Sequence, residues 1–241
     1  MPGKPRSPVS KILDHLEKFY GQPKAPRAIL PNLSRGADPY EMLLYTNCGY
    51  PATDAACTKG FETLKKEVGL QPDDILGATD AKLTEVFRGT GMMPEKRVMR
   101  IREIAARVKH EFGGKLGEAL KRPLPEARKA LKTFPTIGDP GADKILLFTR
   151  TAPVAAVPSN SVEVAVRLIS GTTLKDYRQN YKEAQEILRA GVPEEYGALI
   201  RAYLLLKQHG QEICRPARPR CEDCPVSAFC AYFRRQRAGA G

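Results

Sequence analysis

The stretch LPEARKALKTFPTIGDPGADKILLFTR, residues 124–150, decides the fold. Ala127, Ala130 and Leu131 place an apolar stripe on a first helical run, and Ile145, Leu146 and Phe148 place another on a second. Between them, Pro135-Thr136-Ile137-Gly138-Asp139-Pro140-Gly141 holds more helix breakers than a helix interior tolerates and reads as a tight turn. The first N–H groups of the second helix lack intrahelical partners and can hold a phosphate, with Lys144 a turn later adding charge. An ordinary αα-hairpin fits the same residues. Asp139 before Pro140 reads as an N-cap with proline at the first helical position.

Working outward, Ser7-Pro8 opens a helix whose stripe is Val9, Ile12, Leu13, Leu16 and Phe19. Residues 21–38 read as a Pro/Gly/Arg-rich linker. Helices are expected near 39–48, 53–67, 73–77, 80–88, 95–112, 125–132, 140–150, 160–169, 174–190 and 194–209. Asn160 with Glu163 fits a loose capping box. Strand signals are almost absent, so the fold class is all-α. Residues 234–241 read as a Gly/Ala/Arg tail, with Arg234, Arg235 and Arg237 a mobile electrostatic arm or merely solvated surface.

At 241 residues, 42% hydrophobic and 27% charged, the chain buries a real core, which excludes wholesale disorder. Its most apolar run, Ala198 to Leu206, is broken by Arg201 and falls short of the about 18–20 residues of a membrane span. Residues 1–20 lack the apolar block of a secretory signal. The expectation is a cytoplasmic protein, nucleoid-associated if bacterial, with no membrane partner. A net charge of +12 suits a polyanionic partner and is equally compatible with plain solubility.

Six cysteines divide unevenly. Cys48 and Cys57 read as buried thiols. Cys214, Cys221, Cys224 and Cys230 form C-x6-C-x2-C-x5-C, a soft donor set for iron–sulfur or zinc. Only Cys221 and Cys224 make a zinc-type knuckle, and the long outer arms suit a [4Fe–4S] cubane better.

The cysteine spacing, with His209-Gly210 before it and Pro219 inside it, resembles the cluster loop of endonuclease III-type DNA glycosylases. Phe134, Pro135, Ile137, Gly138 and Ala142 match that superfamily's helix–hairpin–helix pattern L-P-G-[VI]-G-x-x-T-A, with Thr136 at its first glycine. Gly91-Met92-Met93-Pro94-Glu95-Lys96 is similar to its G-[LF]-Y-x-x-K turn. The resemblance implies two helical lobes flanking a DNA groove. One is a six-helix barrel over 33–152; the other joins 1–32 to 153–241 and carries a [4Fe–4S] cluster on the four C-terminal cysteines. It implies a monomer on double-stranded DNA that takes a flipped nucleotide. The implied contacts are Thr136, Gly138, Gly141, Lys144, Lys96, Asn160, Arg215, Arg218 and Arg220, with Met92 as an apolar wedge. A core role for Met92 is the alternative.

Family members that cleave the strand use a hairpin Lys and an Asp in V-D-[TS]-[HN]. The corresponding residues are Pro140 and, within Val157-Pro158-Ser159-Asn160, Pro158. The Glu of adenine-specific relatives falls on Thr46, and a helix-probing Gln on Pro51. Proline neither ionises nor attacks, so the usual mechanism is missing. The remaining carboxylate candidates are Asp139, Asp143, Asp54 and Glu41. Three readings follow: a monofunctional glycosylase, a catalytically inactive lesion or DNA-structure binder, and an iron–sulfur sensor. The hairpin and the basic loop speak against the third.

Overall fold

Cap chemistry sets many helix boundaries in the computed structural model, which describes residues 7–23, 25–29, 35–49 and 53–239. Ser7 accepts from Ser10 N–H, Pro8 takes the first helical position, and Gly21 at φ 77° ends α1. Thr53, Thr79 and Asp176 likewise accept from first-turn N–H groups. Among the described residues the elements are α1 (Pro8–Tyr20), α2 (Pro39–Gly49), α3 (Asp54–Glu67), α4 (Pro72–Gly77), α5 (Asp80–Phe87), α6 (Pro94–Glu111) and α7 (Leu116–Ala119). There follow α8 (Leu124–Leu131), α9 (Asp139–Phe148), α10 (Val162–Ile169), α11 (Tyr177–Gly191), α12 (Tyr196–Glu212), a 3-10 turn (Ser227–Phe229) and α13 (Ala231–Gly239). The described residues contain no strand, and none of their helices is long and apolar enough to cross a membrane.

The chain divides into two compact units, Pro26–Ala152 and Met1–Ala25 with Pro153–Gly241. The first holds α2–α9 around fully buried side chains such as Met42, Leu44, Phe61, Ile101 and Leu146. In the second, α1 lies against α11 and α12, and α10 lies against α11, α12 and α13.

Several expectations are corrected. The arginine tail is not a loose arm: Ala231–Gly239 is helical and packs on α10. Asp139 is not the cap of α9. Gly138 holds that position in extended conformation, and Asp139 lies inside the first turn, paired with Lys132 at 2.6 Å. The Asn160–Glu163 box does not form, because α10 starts two residues later with Ser161 as cap and no side-chain cap bond. Phe19 leaves the buried stripe of α1 and is 56% exposed. The short α7 was not anticipated.

Candidate nucleic-acid interface and metal centre

The hairpin turn is anchored from below by apolar side chains and from the side by one polar clamp. Phe134 and Ile137 are buried, and Ala142 N–H donates to the Gly138 carbonyl to start α9. Thr136 sits at φ 65°, a left-handed conformation that costs a β-branched residue roughly 1–2 kcal/mol. Its hydroxyl donates to Asn47 Oδ1 at 3.1 Å. Asn47, fully buried on α2, donates its amide to the Leu43 carbonyl at 3.0 Å. Thr136, Gly138 and Asp139 are exposed; Pro140, Gly141 and Lys144 are half-buried. Pro140 contributes no N–H, so first-turn donation toward a phosphate rests on the amides of Asp139 and Gly141.

The four carboxylates sit in unlike surroundings. Asp143 is buried in α9 and receives Arg128 Nε at 2.6 Å, an ion pair that fixes α9 to α8. Asp139 is exposed and paired with Lys132. Asp54 is exposed in the first turn of α3. Glu41 is half-buried on α2; burial, then neighbouring Asp38, hold its carboxyl above the usual range against an opposing pull from Lys65. Pro158 is buried and its carbonyl accepts Ser161 N–H at 3.0 Å, whereas Asn160 is exposed. Thr46 is half-buried on α2, and Pro51 lies outside the described residues.

Met92 is 87% exposed, so the core alternative for it falls. The turn that presents it bends through positive φ at Gly89, Gly91 and Met93. Beneath it the buried guanidinium of Arg97 donates to the carbonyls of Met92 and Gly49. Lys96 is exposed on the first turn of α6. Cys48 and Cys57 are buried, and burial pushes the Cys48 thiol well up.

The remaining four cysteines, with Arg167, His209 and Ile213 among others, line one pocket. Among the described residues no three His, Cys, Asp or Glu side chains gather as ligands of a single ion. Burial raises the thiols of Cys214 and Cys221, and that of Cys224 to about 11, so thiolates here require a compensating positive charge. Arg167, buried on α10, supplies one: Nη1 lies 3.9 Å from Cys214 Sγ. The same side chain donates to the carbonyls of Arg215 at 2.9 Å and Pro216 at 2.6 Å, and its guanidinium lies 5.4 Å from the Tyr232 ring centre. Fully buried His209 has its pKa lowered to about 4 by burial and is neutral at pH 7. Burial first, then Glu212, raise the Tyr20 phenol, which keeps its proton, and its hydroxyl is hydrogen-bonded with His209 Nδ1 at 3.0 Å. The other ring nitrogen, Nε2, lies 3.6 Å from Cys224 Sγ.

The loop arginines are not equivalent. Arg215 Nε donates to the Gln211 carbonyl at 3.2 Å and Arg220 Nη2 to that of Glu212 at 2.8 Å, so both cap the C-terminus of α12 while remaining exposed. Arg218 is exposed between them. Asn47, Arg97 and Arg167 escaped the sequence reading. The signal available for Arg167 was one cation inside the otherwise apolar run VAVRLI.

No family model matches the chain. Endonuclease III of Thermotoga maritima is 25% identical over 209 residues, spanning 87% of this chain and 90% of the relative. The thymine/uracil-DNA glycosylase of Methanothermobacter thermautotrophicus is 26% identical over 162 residues, 67% of each chain. Among solved structures, a non-covalent endonuclease III–DNA complex superimposes with TM-score 0.70 at 19% identity, covering 95% of this chain and 97% of that one. A thermostable thymine-DNA glycosylase gives 0.69 at 23%, covering 94% and 95%. The solved structures share the fold, and the sequence relatives share the name of the family whose hairpin and cysteine spacing stand here. In sequence and in fold the chain is therefore similar to the endonuclease III-like helix–hairpin–helix DNA glycosylases.

Proposed function

We propose that this protein is a base-excision-repair DNA glycosylase that binds duplex DNA and hydrolyses the N-glycosidic bond of a flipped, damaged or mismatched base without cutting the strand. The observation that carries the reading is the hairpin: its turn is built and held, while its amine position is Pro140. Breaking the glycosidic bond leaves an electrophilic sugar carbon. A lysine there would form a Schiff base and lead to strand cleavage. The nitrogen of Pro140 is a tertiary amide and cannot attack, so water is the acceptor: its oxygen bonds to the sugar carbon and the departing base takes a proton.

Phosphate contacts are assigned to the turn residues Thr136, Gly138, Gly141 and Lys144, to Lys96 and Asn160, and to Arg215, Arg218 and Arg220. Met92, exposed on a braced turn, suits a wedge between bases. Cys214, Cys221, Cys224 and Cys230 are the ligands of a [4Fe–4S] cluster. All four thiols line one pocket, and their C-x6-C-x2-C-x5-C spacing, with one zinc-type knuckle and long outer arms, supports the cluster over zinc. When bound, the cluster cross-links the loop.

The test is release of free base from duplexes carrying uracil, oxidised pyrimidines, oxoguanine mismatches, and alkylated or deaminated purines. Release from at least one substrate is expected. No release from any, together with lesion-dependent binding, would replace the enzyme by a recognition protein built on the same frame. The ion pairs that occupy Asp139 and Asp143 are the observation favouring that second reading.

A further inference from the structure

We infer that α13 is a second DNA-backbone-binding element, whose Arg234, Arg235 and Arg237 take phosphates outside the set carried by the hairpin and the cysteine loop. The inference rests on the duplex-binding reading above. Its first support is availability. Arg215 and Arg220 in the loop each give one donor group to the end of α12. On α13 all three arginines are exposed, and among the described residues none of the three guanidinium groups is recorded with a carbonyl or carboxylate partner, Arg237 lying 5.8 Å from the Phe233 ring centre. No acidic residue follows Asp223 in the chain, so nothing in this segment neutralises them.

The second support is that the helix is docked. At about 100° per residue, Arg234 and Arg237 lie on the side of α13 opposite Tyr232, and Arg235 lies between the two sides, its Nε beside Gly171. Tyr232 lies under the Arg167 guanidinium. Gly171, at φ 74°, lets α13 approach closely: a Cβ there would stand 3.0 Å from both the Ala231 carbonyl carbon and Arg235 Nε. Arg167 also holds the carbonyls of Arg215 and Pro216, so one buried side chain fixes both arginine-bearing segments. Arginine on a fixed helix loses less freedom on gripping phosphate than arginine on a loose tail, and its planar fork matches two phosphate oxygens.

The experiment measures binding of the intact protein to a short fluorescein-labelled duplex containing an abasic-site analogue, between roughly 50 and 200 mM salt. R234Q/R235Q/R237Q is compared with wild type and with R218Q. Each lost phosphate contact lowers the slope of log K against log salt by about 0.9, so the triple variant should lose about 2–3 in slope, equally on undamaged duplex. Thermal midpoint and visible absorbance should not move. Gly171→Ala, which leaves every charge in place but displaces α13, should reproduce part of the loss. An unchanged slope in the triple variant overturns the inference while leaving duplex binding intact. Absence of duplex binding by the wild type would overturn the functional reading itself.

Discussion

The hairpin and the cysteine loop are held in opposite ways. The seven-residue turn between Pro135 and Gly141 lies over Phe134, Ile137 and Ala142, all buried, and is flanked by the buried faces of α8 and α9. The loop from Ile213 to Cys230 buries only Ile213, Val226 and Cys230, and hangs on polar struts from Arg167 and His209. Apolar burial tolerates changes in a motif, as Thr136 and Pro140 illustrate, because the turn's position does not depend on any one residue. A loop with little apolar support depends on its cross-links, and there the family spacing of four cysteines is intact.

Removing the proposed cluster should separate the two most sharply. With iron chelated, amides of 213–239 should lose hydrogen-exchange protection by at least about a hundredfold, while those of 124–148 keep theirs. Equal loss in both segments would mean the hairpin shares the loop's dependence. Next in size, Arg167→Met should cost about 3 kcal/mol by leaving two carbonyls and an aromatic face unpartnered, read as a fall in thermal midpoint and as faster exchange across α13. Within the hairpin, Thr136→Val keeps the unfavourable φ but loses the bond to Asn47, and should cost about 2 kcal/mol. Thr136→Gly relieves the backbone as it loses that bond and should fall within about 0.5 kcal/mol of wild type. Equal effects of Val and Gly would remove the backbone cost from the account.

The smallest effect concerns Glu41. Its carboxyl is held above the usual range in the folded protein, so protonation favours the fold. That contribution is present below the unfolded pKa and is lost as pH rises through the folded one. Glu41→Gln should therefore stabilise near pH 7, by under about 1 kcal/mol for a half-exposed group, and the gain should vanish at pH 4. Urea melts at the two pH values check this.

The local code was largely readable. Ser7-Pro8, the apolar stripe of α6 and the breakers at 135–141 state where helices start and stop, because caps and periodicity act over a few residues. What was not readable acts at long range. Nothing near Asn47 in sequence reveals that it clamps Thr136, 89 residues away. Arg167 braces a loop 48 residues on, and Tyr232 lies farther still. Asp139 had the composition of a cap, yet the turn's extended path through Gly138 put it inside the helix. The arginine tail lacked an apolar stripe and so gave no sign of helix. Its order comes from Tyr232 and the gap left by Gly171.

The account stands or falls on how the sugar is left once a base has been released. On a duplex from which the protein frees a base, the remaining site should be cut by alkali alone, and borohydride should trap no protein–DNA adduct. A borohydride-stable adduct, with strand breaks formed before alkali, would show an amine at work, with Lys132 and Lys144 beside Pro140 the first to test, and would contradict the monofunctional reading.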